Sequence, residues 1–394
     1  MYRNHAIYAV LLALSLVATG AAAQNINPDI SVIGDVRTWV TGDPSDPKDG
    51  ELQLDLESAE LAIQGYLNPF ARADLYVGYH DGEFELEELY ATILRGLPLG
   101  TVLRAGRYRV DFGKLNLLHP HAYSFLDTPL VHREFLGEEG LSDVGAGLSW
   151  QVPIGASSLT ISGNLLKGDF VEAYGHDHEN GADAIVRLAR PEGLVGAPRV
   201  ALEEPTTEAE VETALGWSER LSLFVPTGEW AGVEIGINAL QGTLDKLTDR
   251  HVELLGIDFK YRWAPDKYRS LTVQGELIRS ERDVLHHHHE AEARARQDAH
   301  GVERIESAGY FAFVDWRFRQ RWNVGAIVER TDLAEEVETA VERAGVFAGF
   351  QVMEESTMVR LLLRRTDGDE FTEPVNEGIV QLAFSLGPHR AHWF

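Results

Sequence analysis

Residues 255–263 read Leu255-Gly256-Ile257-Asp258-Phe259-Lys260-Tyr261-Arg262-Trp263. The odd positions are all apolar or aromatic, and three of the four even ones are charged. Strict alternation of this kind marks a β-strand whose two faces meet different surroundings. The same period returns in Tyr310, Ala312, Val314, Trp316 and Phe318 against Phe311, Phe313, Asp315, Arg317 and Arg319. It returns again in Val346–Val352 and in Val380–Leu386, and strong helical periodicity is nowhere evident.

Extended along the chain, the pattern predicts sixteen strands, from 30–40 at one end to 375–386 at the other. Near Glu57–Ala59 the apolar parity switches, which suits a β-bulge. The connections alternate in length. Short turns such as Leu67–Phe70, Pro153–Ser157 and Gln320-Arg321 are interleaved with longer polar loops at 41–51, 111–140, 170–215 and 284–303. The brief Asp81-Gly82-Glu83 falls where a long loop is expected, and 184–190 alternates for a few residues without a clear place in the count.

Even strand number with alternating short and long connections is the pattern of an outer-membrane β-barrel. Closure is required in lipid, where an open sheet edge would leave backbone groups without partners. The expected fold is therefore all-β: a transmembrane antiparallel barrel with short periplasmic turns and long extracellular loops. Tyr66, Trp150, Trp217, Trp230, Trp263, Trp316 and Trp322 near strand ends fit interfacial aromatic girdles, and the chain closes on Phe394. A soluble sandwich or propeller also alternates, but regular loop lengths and the lack of all-apolar strands favour the barrel.

The first 23 residues carry Arg3, an apolar run from Ala6 to Val17 and the small-residue site Ala21-Ala22-Ala23. This reads as a secretory signal peptide cleaved after Ala23, leaving 24–394 as the barrel and the cell outer membrane as its destination. The chain has 394 residues, a net charge of −27 and no Cys. Those numbers exclude a phosphate-binding nucleic-acid partner, a disulfide framework and thiolate or Cys-ligated metal chemistry. No Gly-x-Ser-x-Gly, His-Glu-x-x-His or phosphate loop is present, so no catalytic residues are assigned. A plug-gated receptor of ~22 strands needs a longer chain.

One stretch goes beyond the barrel pattern. It runs Arg104-Ala105-Gly106-Arg107-Tyr108-Arg109-Val110-Asp111-Phe112-Gly113-Lys114, then Asn116, His119-Pro120-His121, Phe125-Leu126-Asp127, Pro129-Leu130-Val131 and Phe135–Leu141. It resembles a signature of bacterial outer-membrane porins of the phosphate-selective porin superfamily, and the ending from Phe384 to Phe394 is similar to that of the group's relatives. The resemblance implies a barrel and a pore role, with lipid and small hydrophilic solutes or ions as partners. A homotrimer is the expected assembly by fold analogy.

Parity places Arg107, Arg109, Asp111, Asp258, Lys260, Arg262, Glu276, Asp315, Arg317, Arg360 and Arg364 toward the lumen, with Lys114 in the loop that follows. Charge rings of this sort set pore selectivity, and most also pair across strands. The loop 111–140 is rich in Phe, Leu and Tyr for a solvated segment, so it is expected to fold inward as a constriction loop; the competing use is an external cap. Two further loops hold His176 and His178, and His286, His287, His288 and His289, with carboxylates close by in sequence. Such tracts are compositional signals for Zn²⁺ or another divalent metal. Passive diffusion requires no cofactor. The leading expectation is thus a porin for small hydrophilic solutes or ions, linked to divalent metal through these loops. Its rival is a surface zinc-binding protein for which the barrel is only an anchor.

Overall fold

In the computed structural model the described residues are 28–80, 82–168, 170, 214–245, 250–285, 302–334, 339–353, 356–369, 371 and 373–387. The signal peptide, most of the loops 170–215 and 284–303, the segment 184–190, His176, His178, His286–His289 and Phe394 lie outside them.

The strands are β1 Asp29–Thr41, β2 Gln53–Asn68, β3 Ala71–His80, β4 Glu83–Ile93, β5 Val102–Arg109, β6 Ser142–Ile154, β7 Ser157–Leu166 and β8 Gly216–Pro226. They continue as β9 Ala231–Asp245, β10 Arg250–Asp266, β11 Arg269–Leu285, β12 Val302–Arg319, β13 Trp322–Asp332, β14 Ala340–Met353, β15 Thr357–Gly368 and β16 Val375–Leu386. Each pairs antiparallel with its neighbours in sequence, and β1 pairs β16 from Val32↔Leu386 to Thr41↔Glu377, closing the barrel. All sixteen strands stand where the alternation predicts them.

The outer face is apolar. Leu255 and Ile257 are each 56% exposed, and Ile237, Val346 and Leu363 are exposed on the same face. The expected bulge is present: Asp35 pairs Ser58 and Val36 pairs Leu56, so Glu57 is the extra residue. A second bulge lies in β4, where Tyr76 pairs Glu88 and Val77 pairs Leu86, leaving Glu87 unmatched.

The lumen is not the purely polar space that alternation suggests. Residues 110–141 leave β5, enter the barrel and return to β6, carrying a seven-residue helix, α1, Leu130–Leu136. Phe112, Leu126, Leu130 and Val131 on this segment are fully buried. Phe112, Leu126 and Val131 join a core with Leu240, Leu254, Ile278, Phe311, Phe313, Ile327, Phe347, Leu362 and Ile379 from the barrel wall, while Leu130 packs in a smaller cluster with Leu333 and Val341. Phe125 sits at its centre, with ring centroids 4.9 Å from Phe313 and 6.3 Å from Phe347. Lumenal Phe and Leu that would be costly in an aqueous channel are thus covered by the apolar side of the segment.

Candidate functional site: the lumenal segment and its charged wall

The segment is pinched at its neck. Val110 N–H donates to the Leu141 carbonyl at 2.9 Å. Asn116 locks this pair, its amide donating to the carbonyls of Val110 (2.8 Å) and Leu141 (3.0 Å) while its oxygen accepts from Leu141 N–H. Gly113 follows the neck with φ +67°, and a Cβ there would run into the Glu276 carboxylate. That combination admits only glycine. Its N–H donates to Asn238 at 3.0 Å.

Beyond the neck, charged wall residues hold the segment at three places. On β11, Glu276 accepts from the backbone N–H groups of Lys114 (2.8 Å) and Leu115 (2.7 Å), and its second oxygen faces His132 Nε2 at 2.8 Å. The Lys114 ammonium reaches Glu234 on β9 at 2.8 Å. Across the barrel, Asp127 lies between Arg37 of β1, at 2.6 Å, and Arg364 of β15. Burial alone would raise the Asp127 carboxyl, but Arg364 and Arg37, with Arg343 and Arg133 behind them, hold it well below the ordinary carboxylate range. Nearby, Glu329 of β13 accepts from Leu130 N–H at 2.7 Å and pairs with Arg343 of β14 at 2.9 Å. Arg360 donates to the carbonyl of His121 and to Gln381.

The third anchor is His119, which is buried and stacked on Tyr76 at 4.8 Å. Its Nδ1 lies 2.9 Å from Glu60 of β2 and 2.9 Å from Glu87 of β4, and its Nε2 lies 2.8 Å from Glu88. Burial and Arg109 both oppose a charged imidazole here. The carboxylates of Glu60 and Glu87 outweigh them and hold His119 well above the usual imidazole range.

Two cavities flank the segment toward the short-turn end of the barrel. One, of about 430 Å³, lies against β1–β7 and carries Arg72, Arg104, Arg109 and Lys114 against Asp74, Glu88 and Asp111. The other, of about 310 Å³, lies against β10–β16 and carries Lys260, Arg317 and Arg360 against Asp315. Basic residues outnumber acidic ones in both, although the whole chain is strongly acidic.

These positions allow each sequence-derived candidate to be placed. Lys260, Arg262, Asp315, Arg317, Arg360 and Arg364 point inward from their strands. Asp258 does so as well, buried against Arg220 and Asn238. Asp111 pairs with Arg104 at 2.9 Å, and Arg109 is buried under the neck of the segment. Arg107 is a correction. It pairs with Leu89 and Val144, both exposed on the outer face, and shares that face with them. Arginines on both faces of β5 conceal its parity, and the inward set is Arg104, Gly106 and Tyr108. The histidine tracts lie outside the described residues.

The sequence reading missed Arg37, Arg343 and Glu329, whose inward parity was available in β1, β14 and β13. It also missed Glu87 and Glu88. Adjacent residues face the same way only because the β4 bulge falls between them, and strict alternation cannot reveal that.

No family model matches the chain. A protein of Aquifex aeolicus described only as uncharacterised is 26% identical over 356 residues, spanning 86% of this chain and 70% of that one. Among solved structures, an anion-selective porin from Comamonas acidovorans superposes with a TM-score of 0.55 at 10% identity, over 91% of this chain and 99% of the other. The outer-membrane channel DcaP of Acinetobacter baumannii gives 0.54 at 10% identity, over 93% and 100%. OmpT of Vibrio cholerae in its trimer form gives 0.51 at 9% identity, over 91% and 99%. At these identities the likeness is one of fold: a closed antiparallel barrel, sixteen-stranded in this chain, of the outer-membrane kind.

Proposed function

We propose that the protein is an outer-membrane porin for passive diffusion of small hydrophilic solutes, with a preference for anions. The observation that carries this reading is the excess of basic side chains lining both cavities beside the lumenal segment. A low-dielectric wall focuses such a field on whatever passes between them, so the sign of the constriction and not of the whole chain sets selectivity. Segment 110–141 acts as the constriction, since it enters the barrel and is held to wall residues on opposite sides, Glu276 of β11 and Arg37 of β1 among them. The resemblance of residues 104–141 to the phosphate-selective porin superfamily supports the pore role, and we take from it no particular ligand. A homotrimer is the assembly we propose, by analogy with barrels of the same strand number.

Refolded protein in a planar bilayer tests this directly. Discrete conductance steps without added metal, with a reversal potential favouring anions under a salt gradient, are the expected result. Lys260→Gln with Arg317→Gln should shift that potential toward zero. The competing reading, a surface divalent-metal binder anchored by its barrel, rests on the histidine tracts and expects no conductance from a folded barrel.

A further inference from the structure

We infer that Glu60, Glu87 and His119 form a divalent-metal site of the zinc type, buried where the lumenal segment meets strands β2 and β4. One oxygen from each carboxylate and Nδ1 of His119 lie within 4.8 Å of one another, and all three residues are buried. The arrangement holds more acceptors than the imidazole can serve. Nδ1 bears at most one proton, yet two carboxylate oxygens stand 2.9 Å from it. A divalent ion at their centre balances both anions. With bonds near 2.1 Å its ligand atoms would stand about 3.0–3.4 Å apart, so each carboxylate oxygen need move only slightly from its place beside Nδ1.

The surroundings are those of a metal-bound histidine. The far nitrogen of a ligating imidazole generally donates to a carboxylate, which fixes the tautomer and strengthens the ligand. Here Nε2 lies 2.8 Å from Glu88, and Glu88 is itself held by Arg109 N–H at 2.9 Å. Two imidazoles flank the same carboxylates, His121 Nδ1 being 3.5 Å from Glu60 and His80 Nε2 being 3.3 Å from Glu87. Either can complete a mixed nitrogen and oxygen set, which suits Zn²⁺ over Ca²⁺ or Mg²⁺. His119 and Glu88 line the larger cavity, so an ion can arrive from water. The metal would tie the lumenal segment to the wall.

The test uses full-length barrel with His176, His178 and His286–His289 replaced by Ser, freed of metal by chelator and then titrated with Zn²⁺. One equivalent is expected to bind at micromolar concentration. Glu60→Gln with Glu87→Gln should abolish that equivalent, and Glu88→Gln, which removes no ligand, should weaken it ~10–100-fold. Circular dichroism of each variant establishes that the barrel is folded, and Glu87→Gln alone serves if the double variant is not. No stoichiometric zinc on the folded parent overturns the site, as does binding that survives Glu87→Gln. Either result leaves His119 as a protonated clamp. Because the readout is metal content, it is independent of whether the barrel conducts.

Discussion

Oε2 of Glu276 lies 2.8 Å from Nε2 of His132, while Oε1 of the same carboxylate accepts the backbone N–H groups of Lys114 and Leu115. One wall residue on β11 thus holds both the outgoing and the returning limb of the lumenal segment. Glu276 is only 4% exposed, so water is a poor substitute for it. Glu276→Ala leaves three donors without their acceptor, each costing ~1–3 kcal/mol when buried. Partial rewetting from the lumen reduces that total. We predict about 3 kcal/mol of lost stability in urea unfolding from lipid vesicles, with larger and noisier conductance steps. Wild-type step size would mean that the neck alone sets the position of the segment.

Asp127 gives a pH-dependent version of the same argument. Its folded carboxyl is depressed below the unfolded value of ~3.9, so its contribution is present above that pH and is lost as pH falls through the folded value. The stability difference between wild type and Asp127→Asn should therefore be flat from neutral pH to about pH 4 and shrink only in stronger acid. Its size should be about 2 kcal/mol, as for hydrogen bonds to a charged group. A full broken-pair penalty is not expected, because Arg37 keeps Asp35 at 2.9 Å and Arg364 keeps Glu377 at 2.6 Å. A difference that decays between pH 7 and 5 would contradict the depressed carboxyl.

Arg107 and Arg317 test the faces of the wall. Arg317 faces the cavity against β10–β16, whereas Arg107 stands on the outer face near the long-loop end of β5. A cationic side chain on the lipid face near the interface costs ~0–1 kcal/mol. Arg107→Leu should therefore be neutral or stabilising by up to that amount, with unchanged conductance and selectivity. Arg317→Gln should lower anion preference with little effect on unfolding. A selectivity change in Arg107→Leu would return that residue to the lumen.

How far the sequence could be read follows from the same residues. Period two exposes a strand wherever its faces differ in polarity, so Leu255–Trp263 and its counterparts placed all sixteen strands. It fails where both faces carry charge, as around Arg107, and where a bulge sets Glu87 and Glu88 side by side. The apolar content of 111–140 signalled an inward fold, because Phe112, Leu115 and Phe125 need cover. Its partners are contacts between residues far apart in the chain, such as Asp127 with Arg364, and no local pattern encodes those. Inward-facing Phe311 and Phe313 were visible in β12, and only the segment explains why a lumen tolerates them.

Removal of the segment is the strongest test of the pore reading. Deleting 116–136 takes away Phe125, Asp127, α1 and the Asn116 lock, while every strand keeps its ladder. The two cavities then merge into one lumen, and conductance should rise severalfold. Stability should fall, because Leu254, Ile278, Phe311, Phe313 and Phe347 lose their apolar cover. Arg37 keeps Asp35 on its own strand, Arg343 and Arg364 keep Glu329 and Glu377 on adjacent strands, and all three gain water, so their charges do not oppose folding. The selectivity should weaken along with the narrowing, since a wider aqueous path screens the arginines from the permeating ion. A folded deletion variant with wild-type conductance would place the rate-limiting constriction elsewhere and remove segment 110–141 from the mechanism.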